Sequence, residues 1–446
     1  MGGALTLATI TSNGLPTWSL GLFLVAFVII VFMLCWTTVL FVSSRHALAR
    51  AMGVDEAARD GLLWIFLVPA LNEEVTIADS VRRLVDVNAA NKQIVVIDDG
   101  STDGTGAVLA GLDIPELEVL TRVLPDAKKG KAAALNAAWR HVDGLLESGR
   151  WAGWPREKVV VCVVDADGRL AADAPAHAAV HFADERVGGL QVRVRIYNRQ
   201  RPLTWCQDVE FGIYGLLFQA GRTPWGTAGM GGNGQFNRLA ALDSIADPAP
   251  GGPWRDKLTE DQDLGLRLIA AGWRGAAAAD TSVDQQGLPG LRRLLRQRTR
   301  WAQGNLQAMS HLGTMWNAPL SLWVRIDLAA YLLQPVLQAI VGVSFFVSIV
   351  FAITGVASFW GDQDWWILLV FLVLGYGGVF LGCIARGIEN GVRGVLTGIL
   401  IVPVYGAYAW IIWPVLARAA FRQLTGKTGW AKTAREPVAT QPPAGA

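Results

Sequence analysis

Charge is scarce in this chain: only 17% of its 446 residues are Asp, Glu, Lys or Arg, while 52% are hydrophobic. That balance excludes an ordinary soluble protein of this length, yet it is too polar for a bundle made only of membrane spans. A soluble domain joined to membrane segments fits. Cysteine is nearly absent as well. Cys35, Cys162, Cys206 and Cys383 share no CxxC spacing, which argues against a disulfide framework or a zinc site and suits reduced thiols facing a cytoplasm. The strand-end turn VVIDDGSTDGT (95–105) contains neither GxxxxGK[ST] nor GxGxxG, so it is not a phosphate loop. No internal repeat is visible in the soluble part. The net charge of +2 gives no guidance about partners.

What is present is organised in blocks. Ser19 to Val42 is almost wholly apolar and long enough to cross a bilayer. No small-residue cleavage site follows it, so it reads as an anchor. Residues 1–18 carry no Lys or Arg, whereas Arg45, His46 and Arg50 follow the span. The expected layout is an extracytoplasmic segment at 1–18, a span at 19–42 and a cytoplasmic domain at 43–320 in the plasma membrane. About three spans at 321–418 come next, in apolar blocks near 328–358, 364–385 and 394–417, followed by a tail at 419–446 whose end is disordered. The GDQD link (361–364) lacks basic residues, while Arg386 and Arg393 bracket the next link. One span before the domain and three after it would put the tail outside, yet Arg418, Arg422, Lys427, Lys432 and Arg435 make it basic. Either one block is re-entrant, with Pro403 as the candidate break, or the charge rule fails here.

Between residues 60 and 320, apolar runs at LLWIFLVPA (62–70), QIVVIDDG (93–100), LEVLTRV (117–123) and KVVVCVVDADG (158–168) read as strands. Continuous apolar strands separated by amphipathic helices predict an α/β fold with a mostly parallel sheet covered on both faces. Ligands bind such sheets at the carboxyl ends of the strands. There the sequence keeps Asn72 and Glu73, Asp98 and Asp99, and Asp165 and Asp167.

Each motif has a plain and a chemical reading. Asp165 and Asp167 form an Asp-rich turn, or share a hard divalent cation that holds a diphosphate. VVIDDGSTDGT (95–105) is a turn in which Ser101 and Thr102 cap a helix, or Asp98 or Asp99 bonds a nucleoside. Lys128, Lys129 and Lys131 of DAKKGKAAALNAAW form a solvated turn, or meet phosphate at a helix start. Asn136, in mid-helix, calls for a partner. In LTEDQDLGLRLIAAGWR (258–274), Thr259 is a plausible N-cap. Glu260, Asp261 and Asp263 compensate the helix dipole, or one of them serves as a general base. Arg292, Arg293, Arg296, Arg298 and Arg300 fall within nine residues of an amphipathic helix near 291–309. That helix suits an anionic lipid surface. Gln297, Arg300 and Trp301 share one patch on it, where an arginine could stabilise a leaving diphosphate and a tryptophan could face a sugar. Nucleic acid is a poor partner, because the basic run is confined to a few turns beside a span.

Taken in order, NEE, DDGSTDGT, KGKAAALN, DAD, TED and QRTRW resemble the family 2 membrane-integrated glycosyltransferases, such as the cellulose, hyaluronan and poly-N-acetylglucosamine synthases. The likeness covers residues 60–310 and extends weakly to WAKTAR (430–435). It implies a Rossmann-like GT-A domain that binds a nucleotide-sugar donor, with UDP-sugar ahead of GDP-sugar. Glu73, Asp98, Asp99, Lys131 and Asp165 would serve the donor, and Asp165 and Asp167 would hold Mg²⁺ or Mn²⁺. Asp261, with Glu260 beside it, would be the base. Gln297, Arg300 and Trp301 would cradle the diphosphate and the acceptor, with Gly232 and Asn233 of GMGGNGQF (229–236) on the acceptor side. That glycine loop departs from the versions in cellulose and hyaluronan synthases. The expected activity is inverting, metal-dependent transfer to a growing β-linked polysaccharide, processive and coupled to membrane export. The alternative is transfer of one sugar to a lipid acceptor such as a polyprenyl phosphate or glycolipid. A non-catalytic transporter or scaffold with a nucleotide-binding domain is the remote alternative.

Overall fold

The computed structural model describes residues 17–50, 53–354 and 365–427. The segment before residue 17, the GDQD link, WAKTAR and the end of the tail lie outside the described residues. The strands are β1 (Leu63–Ala70), β2 (Lys92–Asp98), β3 (Leu117–Thr121), β4 (Val159–Val163), β5 (Arg169–Leu170), β6 (Val187–Ile196), β7 (Gln235–Arg238) and β8 (Arg274–Gln285). The helices of nine residues or more are α1 (Thr17–Ala49), α2 (Ile77–Val85), α3 (Lys131–Glu147), α4 (Ala174–Phe182), α5 (Pro202–Ile213), α6 (Glu260–Ala270), α7 (Leu291–Ala308), α8 (Leu322–Thr354), α9 (Trp365–Gly387), α10 (Gly391–Ala409) and α11 (Ile412–Leu424).

Strand β1 shows why the apolar runs become central strands. Its residues alternate between two cores: Trp64, Phe66 and Val68 pack with Ile77, Val81 and Leu84 of α2. Leu63, Ile65 and Leu67 pack with Leu135, Ala138 and Val142 of α3. A strand buried on both faces has no room for polar side chains, which explains the unbroken hydrophobic run. The sheet order is β3-β2-β1-β4-β7-β6-β8-β5. The first four strands in that order are parallel, as expected from the sequence.

The mostly parallel expectation holds, and the other half of the sheet adds antiparallel pairs to it: β7 runs antiparallel to both β4 and β6, and β5 antiparallel to β8, while β6 and β8 are parallel. The cause is the glycine loop. It delivers the chain to the carboxyl end of β4, where Gly234 N donates to the Val163 carbonyl at 2.9 Å. A strand that begins there can only run back along its neighbour.

Three stretches, Trp18–Ala49, Leu322–Thr354 and Val373–Leu424, are long and apolar enough to cross a membrane. The third is not one rod. In α10, Gly398 faces Cys383 and Gly406 faces the Tyr376 ring of α9, so α10 runs back along α9. The chain then turns at Trp410–Ile411. Helix α11 returns past Gly342 of α8, which meets Trp413, to α7, where Val415, Leu416 and Ala419 pack on Ala302. Gln303 of α7 accepts from Arg422 at 3.0 Å and donates to the Lys427 carbonyl at 2.9 Å. The last block therefore folds back on itself, and residues 422–427 return to the domain that carries the sheet. The break is at 410–411, while Pro403 lies inside α10.

The domain is fastened to α1 and α8 by a buried charge cluster. The Arg222 guanidinium donates to both Asp327 oxygens at 2.7 and 3.0 Å, and Trp36 Nε1 donates to Asp327 at 2.8 Å. Asp327 is 0% exposed. Removing one partner of such a pair strands the other charge in an apolar setting. Asp327→Ala is expected to cost about 3–5 kcal/mol, read as a lowered Tm of the detergent-solubilised protein. Asp327→Asn, which can keep the Trp36 bond, should lose less.

Candidate active site

The carboxyl edge of the parallel strands meets the start of α6, and that junction gathers the charged residues. Lys131 is the first residue of α3, entered through Gly130 at φ +99°. Its Nζ donates to Asp165 Oδ1 at 2.7 Å and lies 3.6 Å from Glu260 Oε1. Burial disfavours the ammonium, but Asp165, Glu260 and Asp261 together raise its pKa above the ordinary lysine value.

The glycine loop closes the cluster. Asn233 Oδ1 accepts from Asp165 N at 3.1 Å, and its amide donates to Gln285 Oε1 at 3.1 Å. Gly232 has φ +79°, and a Cβ there would lie 3.0 Å from Asp261 Oδ2. Both the backbone conformation and the lack of space demand glycine. The loop thus joins the DAD turn to the TED turn through two adjacent residues.

The three acids at the start of α6 separate by partner. Asp263 is bound by Arg267 at 2.9 Å and His311 at 2.8 Å, so its role is structural. Glu260 faces Lys131. Asp261 accepts from Gln262 N at 2.8 Å. Burial and then the neighbouring Glu260 push its carboxyl up to about 7, against the opposing pull of Lys131. A carboxylate with that pKa is matched to proton abstraction near neutral pH. A base works deprotonated, so kcat/KM should rise with pH and level off above about 7. Glu260→Gln removes a charge that raises Asp261, so the acid limb of the pH profile should move to lower pH. Lys131→Met should move it the other way.

Thr259 occupies the N-cap position of α6 without a side-chain cap bond; its hydroxyl donates to Gln262 Oε1 at 3.1 Å. A Cβ at Gly304 of α7 would lie 2.5 Å from Thr259 Oγ1. Helix α7 therefore touches TED at Gly304. Gln297, Arg300 and Trp301 precede Gly304 by seven, four and three residues, which places them on that same helix face. Trp301 packs edge-on against Phe211 with centroids 6.1 Å apart. A cleft lined by Phe211, Tyr214, Gln191 and Gly231 reaches the glycine loop.

The remaining predicted residues lie on the strand-end rim with different partners. Asp167 Oδ2 accepts from Gln286 N at 3.3 Å. Asp98 Oδ1 accepts from Ser101 N at 2.9 Å, within its own turn. Asp99 is paired with Arg122, and burial raises its pKa against that guanidinium. Glu73 is buried, and its Oε2 accepts from Thr76 Oγ1 at 3.0 Å. Ser101 and Thr102 cap no helix. They bond Asn72, and Asp103 Oδ1 accepts from Thr105 N at 3.0 Å where the helix begins. Asn136 finds its partner in the Trp254 backbone, at 2.7 and 3.0 Å. Arg122 was invisible to motif reading, because a lone arginine after a strand carries no signal. Arg298 was visible only as one of a basic run.

A family model described as "Glycosyl transferase family group 2" matches residues 160–381, and one described as "Glycosyl transferase family 2" matches residues 65–243. The β-monoglucosyldiacylglycerol synthase of Nostoc sp. is 34% identical over 289 residues, which is 62% of this chain and 56% of that protein. The poly-β-1,6-N-acetyl-D-glucosamine synthase of Staphylococcus aureus is 26% identical over 272 residues, 59% of each chain. The chain thus spans little more than half the length of these curated relatives. Among solved structures, a Pyrobaculum calidifontis mannosyltransferase in complex with GDP-Man and Mn²⁺ aligns with a TM-score of 0.60 at 18% identity, covering 91% of this chain and 99% of that one. The shared architecture is the GT-A fold.

Proposed function

Because this chain belongs to glycosyltransferase family 2, we propose that it transfers one hexose, with inversion, from a nucleotide-sugar donor to the hydroxyl of a membrane lipid. The observation that carries the proposal is Asp261: a half-buried carboxyl, its pKa pushed up to about 7, facing the Lys131–Asp165 pair across Gly232. In this reading Asp261 takes the proton from the acceptor hydroxyl as that oxygen attacks the sugar. Lys131 and Arg300 meet the negative charge that gathers on the departing diphosphate. Displacement from the opposite face turns an α-linked donor into a β-linked product.

Asp165 and Asp167 bring hard oxygen donors to the donor side. No cluster of three or more metal-ligating side chains occurs among the described residues. Two carboxylates are what Mg²⁺ or Mn²⁺ requires when diphosphate and water complete its shell, so the residues fit such an ion. When bound, it would supply charge neutralisation for the diphosphate.

A lipid acceptor is supported by the site's position. Helix α7 touches TED at Gly304 and packs at Ala302 on the returning α11, so the acceptor face adjoins the apolar bundle. The diacylglycerol-glucosylating relative points the same way. The processive polysaccharide reading keeps one observation in its favour, the similarity to the S. aureus synthase. A transporter or scaffold would have no use for a base at Asp261. The test uses purified protein, radiolabelled UDP- and GDP-hexoses and vesicles containing diacylglycerol. A single lipid-soluble product supports the proposal; a ladder or polymer would replace it with the synthase reading.

A further inference from the structure

The three residues of the QxxRW patch are separate in their chemistry, yet one neighbour touches two of them. Arg298 Nη1 donates to Gln297 Oε1 at 3.1 Å, and its guanidinium carbon lies 4.2 Å from the centroid of the Trp301 ring. It also lies 5.6 Å from the Phe211 ring, which packs against Trp301. Arg298 is buried, so its orientation is set by what holds its other end. There Nη2 donates to Glu210 Oε2 of α5 at 2.6 Å, and the same oxygen accepts from Tyr408 Oη of α10 at 2.7 Å. One carboxylate oxygen thus ties together the catalytic domain, α7 and the C-terminal hairpin.

We propose that Arg298 is the positioning residue of the acceptor subsite, and that Glu210 and Tyr408 fix it so that the C-terminal hairpin completes that subsite. A guanidinium stacked on an indole and held by a charge-assisted bond leaves the ring one orientation. The same guanidinium turns the Gln297 side chain. The hairpin is then part of the acceptor machinery and not only a membrane anchor. This rests on the reading that Gln297 and Trp301 face the acceptor.

The test compares Tyr408→Phe, Arg298→Lys and Trp301→Ala in the full chain. Diacylglycerol vesicles serve as acceptor, with whichever nucleotide-hexose the enzyme turns over. Tyr408→Phe keeps the ring and loses one hydrogen bond, so the acceptor KM should rise about 5-fold. Arg298→Lys loses the planar stack and should raise it by at least 10-fold. In both, the KM for donor and the slow hydrolysis of donor without acceptor should stay within about 2-fold of wild type. The double variant should fall short of the product of the single effects, because the two residues share Glu210. If Trp301→Ala leaves the acceptor KM unchanged, the underlying reading of the patch fails. If Trp301→Ala raises it while Tyr408→Phe and Arg298→Lys do not, the positioning role fails. A change confined to Tm, or an equal rise in donor and acceptor KM, likewise overturns it.

Discussion

Asp261→Asn should lower kcat by about 10²–10⁴, the range a positioned general base contributes, while donor KM changes by no more than a few-fold. The substitution is nearly isosteric, which matters here because the Gly232 backbone leaves no space beside the carboxyl. The amide oxygen can still accept from Gln262 N, so the start of α6 is expected to keep its shape. What the amide cannot do is accept a proton from an attacking hydroxyl. The acid limb near pH 7 should vanish from the residual activity, since the group that titrates there is gone. Donor binding, followed by calorimetry, separates lost chemistry from lost structure. A variant that binds donor and turns over at close to the wild-type rate would remove Asp261 from the mechanism.

Asp165→Asn is expected to cost at least 100-fold in kcat/KM, chiefly through donor KM. Two effects converge. The carboxylate is one of the pair suited to the cation, and it is the direct partner of Lys131 at 2.7 Å. Freed from Asp165, Lys131 has only Glu260 and Asp261 as close anionic neighbours, so it should pull the Asp261 pKa down and shift the acid limb to lower pH. EDTA supplies the control. It should abolish wild-type activity and cost the Asp165→Asn enzyme far less. An equal proportional loss in both proteins would mean that Asp165 holds no metal.

The legible and illegible parts of this molecule divide along physical lines. Strands β1 to β4 announce themselves because burial on both faces forbids polar residues. Strand β7, QFNR, is fully buried yet polar at three of four positions. Part of its needs is met by bonds such as Gln235 Nε2 to Asn237 Oδ1 and the Arg238 donations to backbone carbonyls, while Asn237 Nδ2 has no partner. Strand β8 opens with RGAAAAD, and alanine signals helix more than strand. Spacing cannot report such pairings, so the antiparallel half of the sheet was missed. The site was easier. Lys131, Asp165, Glu260 and Asp261 follow from short motifs, because each stands at a strand end or a helix start. That Asp263 is diverted to His311, 48 residues away, lies beyond any local pattern. The same holds for the way the tail returns: hydropathy counts apolar residues but does not see the turn at 410–411.

The clamp that Arg222, Asp327 and Trp36 form also bears on how the enzyme can be handled. Trimming the chain to a water-soluble fragment would remove Asp327, the carboxylate partner of that arginine, together with Trp36, and strip the cover from Val209, Ile213 and Leu217. Such a fragment would carry an orphaned guanidinium beside a bare greasy seam and should precipitate on expression. Preparations for crystallography or cryo-microscopy are better begun from the entire polypeptide in nanodiscs.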